Sequence, residues 1–407
     1  MASRYTLRRD CKKRNAVRNA AETKAIDAFK FCSNTKGNFL ITGGETDKRA
    51  SLLLEYISAR SYDCPIVILS GSDVLEKKLI DNLAYIGKTM TVISSNYKTY
   101  SCFFGMDDVE ITKNLIETAQ HLNLRNIESL FIFSEAFLRL LRKCGHIPEL
   151  NSMKALIRND INILCNVATQ KGLSASDVDI LKREKEGADI MKFVLGVIES
   201  AFKDVHSNRI DKRNSLISLS GKRDIVFISA KSEEQTIMNN VLASEIRHLI
   251  GKRLLVIFDE IHLAKSMKLL DTIENMRSKS NTDIGLSLVN ANTWLGNDEA
   301  AYDKNSMIIL PDQLGHKDLD KLTDFFGTYT YHYVDVDIPM EIGKLIHDKH
   351  LVIKSEERKR VRIADLNNIE AILSGHNGKQ VLLARQITSR FEKGGLANGG
   401  IRRISKL

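Results

Sequence analysis

The clearest pattern in the chain is a run without a single polar position. Leu254-Leu-Val-Ile-Phe258 is wholly apolar and is closed at once by Asp259 and Glu260. Such a run is too short for a helix, and a strand with one wet face would alternate. It predicts a strand buried on both faces, as in the middle of a parallel sheet. Apolar runs at Asn38 to Thr42, Pro65 to Leu69, Met90 to Ile93, Asp224 to Ser229, Gly285 to Ala291, Ser306 to Leu310 and Val381 to Ala384 predict further strands, and Tyr329 to Val336 is a β-like patch. Between them the spacing changes to that of a helix, as at Leu52, Leu53, Tyr56 and Ile57, at Leu75, Leu79 and Leu83, and at Met238, Val241, Leu242, Ile246 and Leu249. Strand and helix in alternation predict an α/β fold with a mainly parallel sheet.

The alternation is interrupted once. From Asp107 to Gly221 no strand pattern occurs, while Ile132, Ala136, Phe137, Leu140 and Leu141 keep one helical face and Ile190, Val194, Val197, Ile198 and Ala201 another. Ser174 with Asp177 has capping-box spacing. The division expected is a basic N-terminal arm and helix over 1–36, a first α/β part over 37–106, an inserted all-α domain over 107–221, a second α/β part over 222–345 and a basic C-terminal segment over 346–407. Ala16, Ala20, Ala25, Ile26, Phe29 and Phe31 supply the apolar spacing of the N-terminal helix.

Two stretches carry candidate chemistry. The first follows the Asn38–Thr42 strand and reads Gly43-Gly-Glu-Thr46-Asp-Lys48-Arg49, with a helix after it. Strand, glycine turn, lysine and helix is the layout of a phosphate-binding loop, whose usual form is G-x-x-x-x-G-K-[ST]. With Lys48 on the motif lysine, Thr42 and Asp47 stand for the two glycines and Arg49 for the magnesium-binding hydroxyl. Ser51 lies two residues further. The phosphate contacts then fall to Gly43, Gly44, Thr46, Lys48 and Ser51. The plain alternative is a solvent-facing lysine on a helix's first turn. The second stretch is the acidic end of the opening run. Open α/β sheets bind ligands at the carboxyl ends of their strands, and an acidic pair there is how P-loop nucleoside triphosphatases hold magnesium and polarise the attacking water. Asp259 is the candidate metal ligand and Glu260 the candidate catalytic carboxylate, against the alternative of a strand running into a charged helix cap.

Composition narrows the class. The chain has 407 residues, 43% hydrophobic and 27% charged, which suits two or three globular domains. No window is apolar for long enough to cross a bilayer, and the start is basic rather than signal-like, so a cytoplasmic protein is expected. The 6 cysteines are scattered without a Cys-x-x-Cys pair, which indicates neither a disulfide framework nor a zinc site. The formal charge of +9 is concentrated at Arg4 to Arg18, at Arg358 to Arg362 and at Arg402 to Lys406. Clustered charge of that sign favours a polyanion partner, nucleic acid first.

Taken in order, the elements resemble the motor domain of the coupling ATPases of conjugation and type IV secretion (TraG/TraD-like), relatives of the FtsK and HerA DNA translocases. The resemblance covers Gly37 to Gly327: phosphate-loop strand, two further βα units, helical insertion, acidic strand. Pro65 to Asp73 is similar to the family's strand with a charged turn, here Ser-Gly-Ser-Asp. Arg277 before Gly285-Leu-Ser-Leu-Val-Asn-Ala-Asn-Thr293 resembles the arginine and sensor strand, which places Asn292 at the sensor. Ile308 to Gly315 followed by Asp318 to Gly327 resembles the family's next strand and aromatic-glycine helix. The resemblance implies a RecA-like P-loop ATPase using ATP and Mg2+, a homo-oligomeric, usually hexameric ring, DNA or nucleoprotein as cargo, and proteins of a secretion or transfer apparatus as partners. Arg277 and Asn292 would join Glu260 as catalytic groups. Family members carry N-terminal membrane helices and an intact loop, and this chain shows neither. The second departure gives the alternative reading, a non-hydrolysing P-loop-like structural or adaptor subunit that binds nucleic acid or partner proteins.

Overall fold

The structure, a computed structural model, describes residues 8–10, 21–23, 25–208, 214–219, 225–278, 281–290, 305–337, 350–359, 363, 366, 370–374 and 381–392. Among them the strands are, in chain order, β1 (Ala21–Thr23), β2 (Ile26–Asp27), β3 (Phe39–Gly43), β4 (Ile66–Ser70), β5 (Met90–Ile93), β6 (Ile225–Ser229), β7 (Leu254–Asp259), β8 (Thr282–Leu288), β9 (Ser306–Leu310), β10 (Thr328–Asp337), β11 (His350–Lys359), β12 (Ala371–Ser374), β13 (Val381–Ala384) and β14 (Ile387–Thr388). The chain forms two compact units, Met1–Arg49 with Val289–Ser389, and Ala50–Leu288 with Arg390–Leu407. The fold class is α/β, and the sheets are mainly parallel.

In the second unit the strand order is β8-β7-β4-β6-β5 and every pair is parallel. β7 therefore has a strand on each side as well as helices in its unit. All six of its residues are buried, which is why the sequence there shows no alternation. Parallel register brings strand ends level: Ser70 lies opposite Asp259, and Asp259 opposite Ser287. Helix Asp73–Ile86 starts at Ser72, whose hydroxyl accepts from the Val74 N–H, and stops at Gly87 in the left-handed conformation.

The same unit contains six consecutive helices, Asp108–His121, Ile127–Lys143, Leu150–Ile157, Ile161–Gln170, Ala175–Arg183 and Lys185–Ala201, with no strand between them. Asp107 and Glu110 cap the first reciprocally, and the Ser174 hydroxyl accepts from the Asp177 N–H at the fifth. Gly187 allows the last helix to press on the second, since a Cβ there would lie 2.3 Å from the Ser129 carbonyl oxygen. The two chain ends flanking this segment are stitched together. Tyr100 N donates to Val205 O (3.1 Å), Ser207 N to Tyr100 O (2.9 Å) and Ser101 N to Asn214 O (2.8 Å). Adjacent ends are what an insertion into a strand-helix sequence requires. Below the stitch lies a buried polar cluster: Glu245, fully buried, accepts from the Tyr100 hydroxyl (2.5 Å) and from Leu216 N (2.8 Å). Burial pushes the Glu245 carboxyl up to about 8, outweighing the two hydrogen bonds, which favour the charged form.

The first unit has the order β1-β13-β12-β9-β3. β9 runs parallel to β3 and β1 parallel to β13, while β12 is antiparallel to both its neighbours. β2 pairs with β14, and β10 with β11 forms a separate antiparallel ribbon from Thr328 opposite Lys359 to Asp337 opposite His350. Two local readings differ from this. Helical spacing between Ala16 and Phe31 gives way to β1 and β2 before a helix at Ala28–Asn34, because residues 21–23 find a partner some 360 positions away in sequence. The charged stretch Lys354-Ser-Glu-Glu-Arg-Lys359, within the basic C-terminal segment and without a predicted element, is part of strand β11, its extended form set by pairing with the Tyr-rich β10.

Candidate functional site

The glycine turn belongs to the first unit. β3 ends at Gly43, and both Gly43 (φ +76°) and Gly44 (φ +68°) take the left-handed conformation. A Cβ on Gly43 would lie 1.8 Å from the Leu310 carbonyl oxygen, and one on Gly44 would meet the Leu310 side chain at 2.5 Å. The turn is therefore pressed against the end of β9, and only glycine fits. Its first two amides face protein: Gly43 N donates to Val289 O (3.0 Å) and Gly44 N to Asp312 O. Helix Thr46–Arg60 then begins, with Asp47 in its first turn, where the helix dipole favours a negative charge.

The interior of this turn holds a side chain that the lysine count had placed elsewhere. Arg49 is fully buried; its Nη1 donates to the carbonyls of Gly43 (2.9 Å) and Gly44, and its Nη2 to the Thr46 hydroxyl (3.0 Å). Counting G-x-x-x-x-G-K from Gly43 instead of from Lys48 sets Lys48 at the second glycine, Arg49 at the lysine and Ala50 at the magnesium-binding hydroxyl. The signal was in the sequence, since Gly43 is the residue at which the strand ends. Under either count the hydroxyl position is empty of a hydroxyl, occupied by Arg49 or by Ala50. Ser51, the nearest substitute, is buried in the second unit, where it accepts from Lys78 Nζ (2.8 Å) and donates to Phe391 O (3.4 Å). Lys48 is half-buried on the helix's first turn.

The acidic tip belongs to the second unit. Asp259 is 2% exposed and accepts a hydrogen bond from the Ser70 hydroxyl at 2.7 Å. Ser70 was missed as a site residue, although parallel pairing of the two apolar runs sets it level with Asp259. Gly71 N donates to Asp259 O (2.8 Å), and a Cβ on Gly71 would lie 2.4 Å from the Glu260 carbonyl oxygen, so the turn after β4 is packed on the tip. Glu260 sits at φ +52°, a left-handed conformation costing a non-glycine residue about 1 kcal/mol. Its amide is held by Ser287 O (2.9 Å). Strain at a carboxylate on a strand end is common where a group must be held in one place. His262, two residues on, is lowered by burial and by Lys265. Arg277 is half-buried in the last turn of helix Met267–Ser278 in the same unit, and Asn292 lies outside the described residues, as does Trp294.

The fit to a magnesium nucleotide is uneven. Among the described residues no three His, Cys, Asp or Glu side chains converge as a metal cage. A cation at Asp259 would take the rest of its shell from water and phosphate, as magnesium does. The glycine turn does not fit. The motif's cation position carries no hydroxyl, the Thr46 hydroxyl is engaged by Arg49, and a guanidinium bonded to the turn's own carbonyls lies within it.

No family model matches the chain, and no curated protein matches it. Among solved structures the chain is similar to the bacterial conjugative coupling protein TrwBdeltaN70 in complex with sulphate (13% identity, 94% of this chain and 95% of that one, TM-score 0.49). It is also similar to the plasmid coupling protein TrwB in complex with ADP and Mg2+ (14%, 96% and 93%, 0.47). A third likeness is to VirB4 of Thermoanaerobacter pseudethanolicus (11%, 90% and 94%, 0.49).

Proposed function

We propose that this chain is a non-hydrolysing, P-loop-like α/β subunit of a conjugative or type IV secretion transfer apparatus, serving as a structural or adaptor component that binds nucleic acid or partner proteins. One observation carries the reading: the Arg49 guanidinium fills the glycine turn and satisfies its carbonyls, while no hydroxyl stands where a nucleotide's magnesium needs one. The apparatus is named on the sequence resemblance, and nucleic acid on the clustered positive charge. Among the described residues no helix is long and apolar enough to cross a membrane.

Turnover of ATP with and without DNA tests this. The wild type is expected to be silent, and Lys48→Gly with Arg49→Lys and Ala50→Thr, which restores the motif counted from Gly43, is expected to gain magnesium-dependent nucleotide binding. Wild-type turnover that vanishes in Glu260→Gln contradicts the proposal.

A second reading is favoured by the acidic tip, where Asp259 is buried against Ser70 and Glu260 is held in strain. That reading is an ATP-dependent DNA translocase, in a ring, with Asp259 for the cation, Glu260 for the attacking water, Gly43, Gly44, Thr46 and Lys48 for phosphate, Ser51 as a supporting hydroxyl, and Arg277 and Asn292 as finger and sensor. The same assay separates the two.

A further inference from the structure

The chain passes from the first unit to the second a final time between Ser389 and Arg390, and the two residues after that step are held unusually well. Arg390 makes three donations to the Glu55 carboxylate, from its backbone N (2.7 Å), Nε (3.0 Å) and Nη2 (2.5 Å), and a fourth from Nη1 to the Tyr85 hydroxyl (2.6 Å). Glu55 is fully buried and Arg390 about a third exposed. Phe391 is 3% exposed and meets the Tyr85 ring edge-on, centroids 5.5 Å apart. Its carbonyl accepts from Ser51 Oγ and Lys78 Nζ, each at 3.4 Å.

These contacts read both side chains and the main chain of a dipeptide. A buried carboxylate takes Nε and Nη2 of the guanidinium on one oxygen, Oε2, and the backbone amide on the other, Oε1; an aromatic edge takes the ring, and a hydroxyl and an ammonium take the carbonyl. A fully buried glutamate on a helix is costly without its cation, so the site is built for an occupant. We infer that Ser51, Glu55, Lys78 and Tyr85 form a binding site for an arginine–aromatic peptide segment, filled in this chain by its own Arg390–Phe391. The occupant fastens the C-terminal segment to helix Thr46–Arg60, the helix that leaves the glycine turn, and can be exchanged for the same segment supplied as a free peptide. The inference does not depend on whether the turn binds nucleotide.

The test uses the full chain carrying Arg390→Ala and Phe391→Ala, with a fluorescent peptide of residues 386–393 (Gln-Ile-Thr-Ser-Arg-Phe-Glu-Lys) as the probe, read by anisotropy. The peptide is expected to bind that chain saturably, and at least tenfold more weakly when Glu55→Gln is added, with the wild type taking up little because its site is filled. Absence of saturable binding, or binding indifferent to Glu55→Gln, overturns the inference. A second measurement does not rely on the double variant folding: trypsin is expected to cut after Arg390 at least tenfold faster in Glu55→Gln than in the wild type under native conditions. Equal rates of cutting overturn the latch in the same way.

Discussion

Replacing Glu245 with glutamine tests whether the buried cluster it forms with Tyr100 and Leu216 is correctly described. In the folded chain this carboxyl keeps its proton up to a pH of about 8, against a usual value of 4.5. The unfolded chain gives up that proton from pH 4.5 upward, so the stability contributed is fully present below 4.5, is lost progressively up to about 8, and changes no further above it. At 1.36 kcal/mol for each tenfold change, the whole interval is worth about 5 kcal/mol. Between pH 5.5 and 8 the loss is about 3 kcal/mol. Glutamine has the same shape and no charge, and the Tyr100 hydroxyl, which both donates and accepts, can pair with either end of an amide. Exchanging the hydrogen bonds costs about 1 kcal/mol at any pH. Urea unfolding of both proteins at pH 5.5, 7 and 8, followed by circular dichroism, gives the difference between them and cancels the other titrating groups. The difference is expected to move in favour of Glu245→Gln by about 3 kcal/mol as the pH rises. A difference that does not change with pH would refute the account of this cluster, because an exposed or already ionised Glu245 predicts no such slope.

Three further perturbations follow from the turn and the acidic tip. Gly43→Ala is expected to abolish soluble expression or to destabilise the first unit by at least about 4 kcal/mol, since the added Cβ would occupy the space of the Leu310 carbonyl oxygen and the backbone is left-handed; a thermal melt within a few degrees of the wild type would contradict this. Arg49→Ala leaves the buried Gly43 and Gly44 carbonyls short of a donor and is expected to cost about 3 kcal/mol in urea unfolding, with Arg49→Lys recovering part of it. Glu260→Gly is expected to be more stable than Glu260→Ala by about 1 kcal/mol, because only glycine relieves the left-handed conformation, and equal melting temperatures would remove the claim of strain.

Much of the fold was legible because burial leaves a direct mark on the sequence. β7 shows no polar position before Asp259 because it is buried along its length between two neighbouring strands, and β5 and β9 coincide with their predicted runs because all their residues are buried too. The helices between Asp108 and Ala201 were readable from apolar spacing and from the Ser174 cap. β1 was not, since its partner lies some 360 positions away, and β11 was not, since its charged half is held extended by pairing with β10 and not by apolar alternation of its own. The acidic tip was visible as two letters, but its hydroxyl partner Ser70 appears only once β4 and β7 are paired in register. In the glycine turn two residues compete for the motif lysine. A lysine draws attention as a phosphate ligand, whereas the position set by the end of β3 belongs to Arg49. The Arg390 contact with Glu55 spans 335 positions, and no local pattern encodes it.

Calorimetric titration of the wild-type chain with ATP and magnesium bears most directly on the claim that Arg49 occupies the glycine turn in place of a nucleotide. No saturable, magnesium-dependent heat is expected at millimolar nucleotide, and it is expected to appear in the chain with Lys48→Gly, Arg49→Lys and Ala50→Thr. Saturable magnesium-dependent binding to the wild type, weakened by Asp259→Asn, would contradict it.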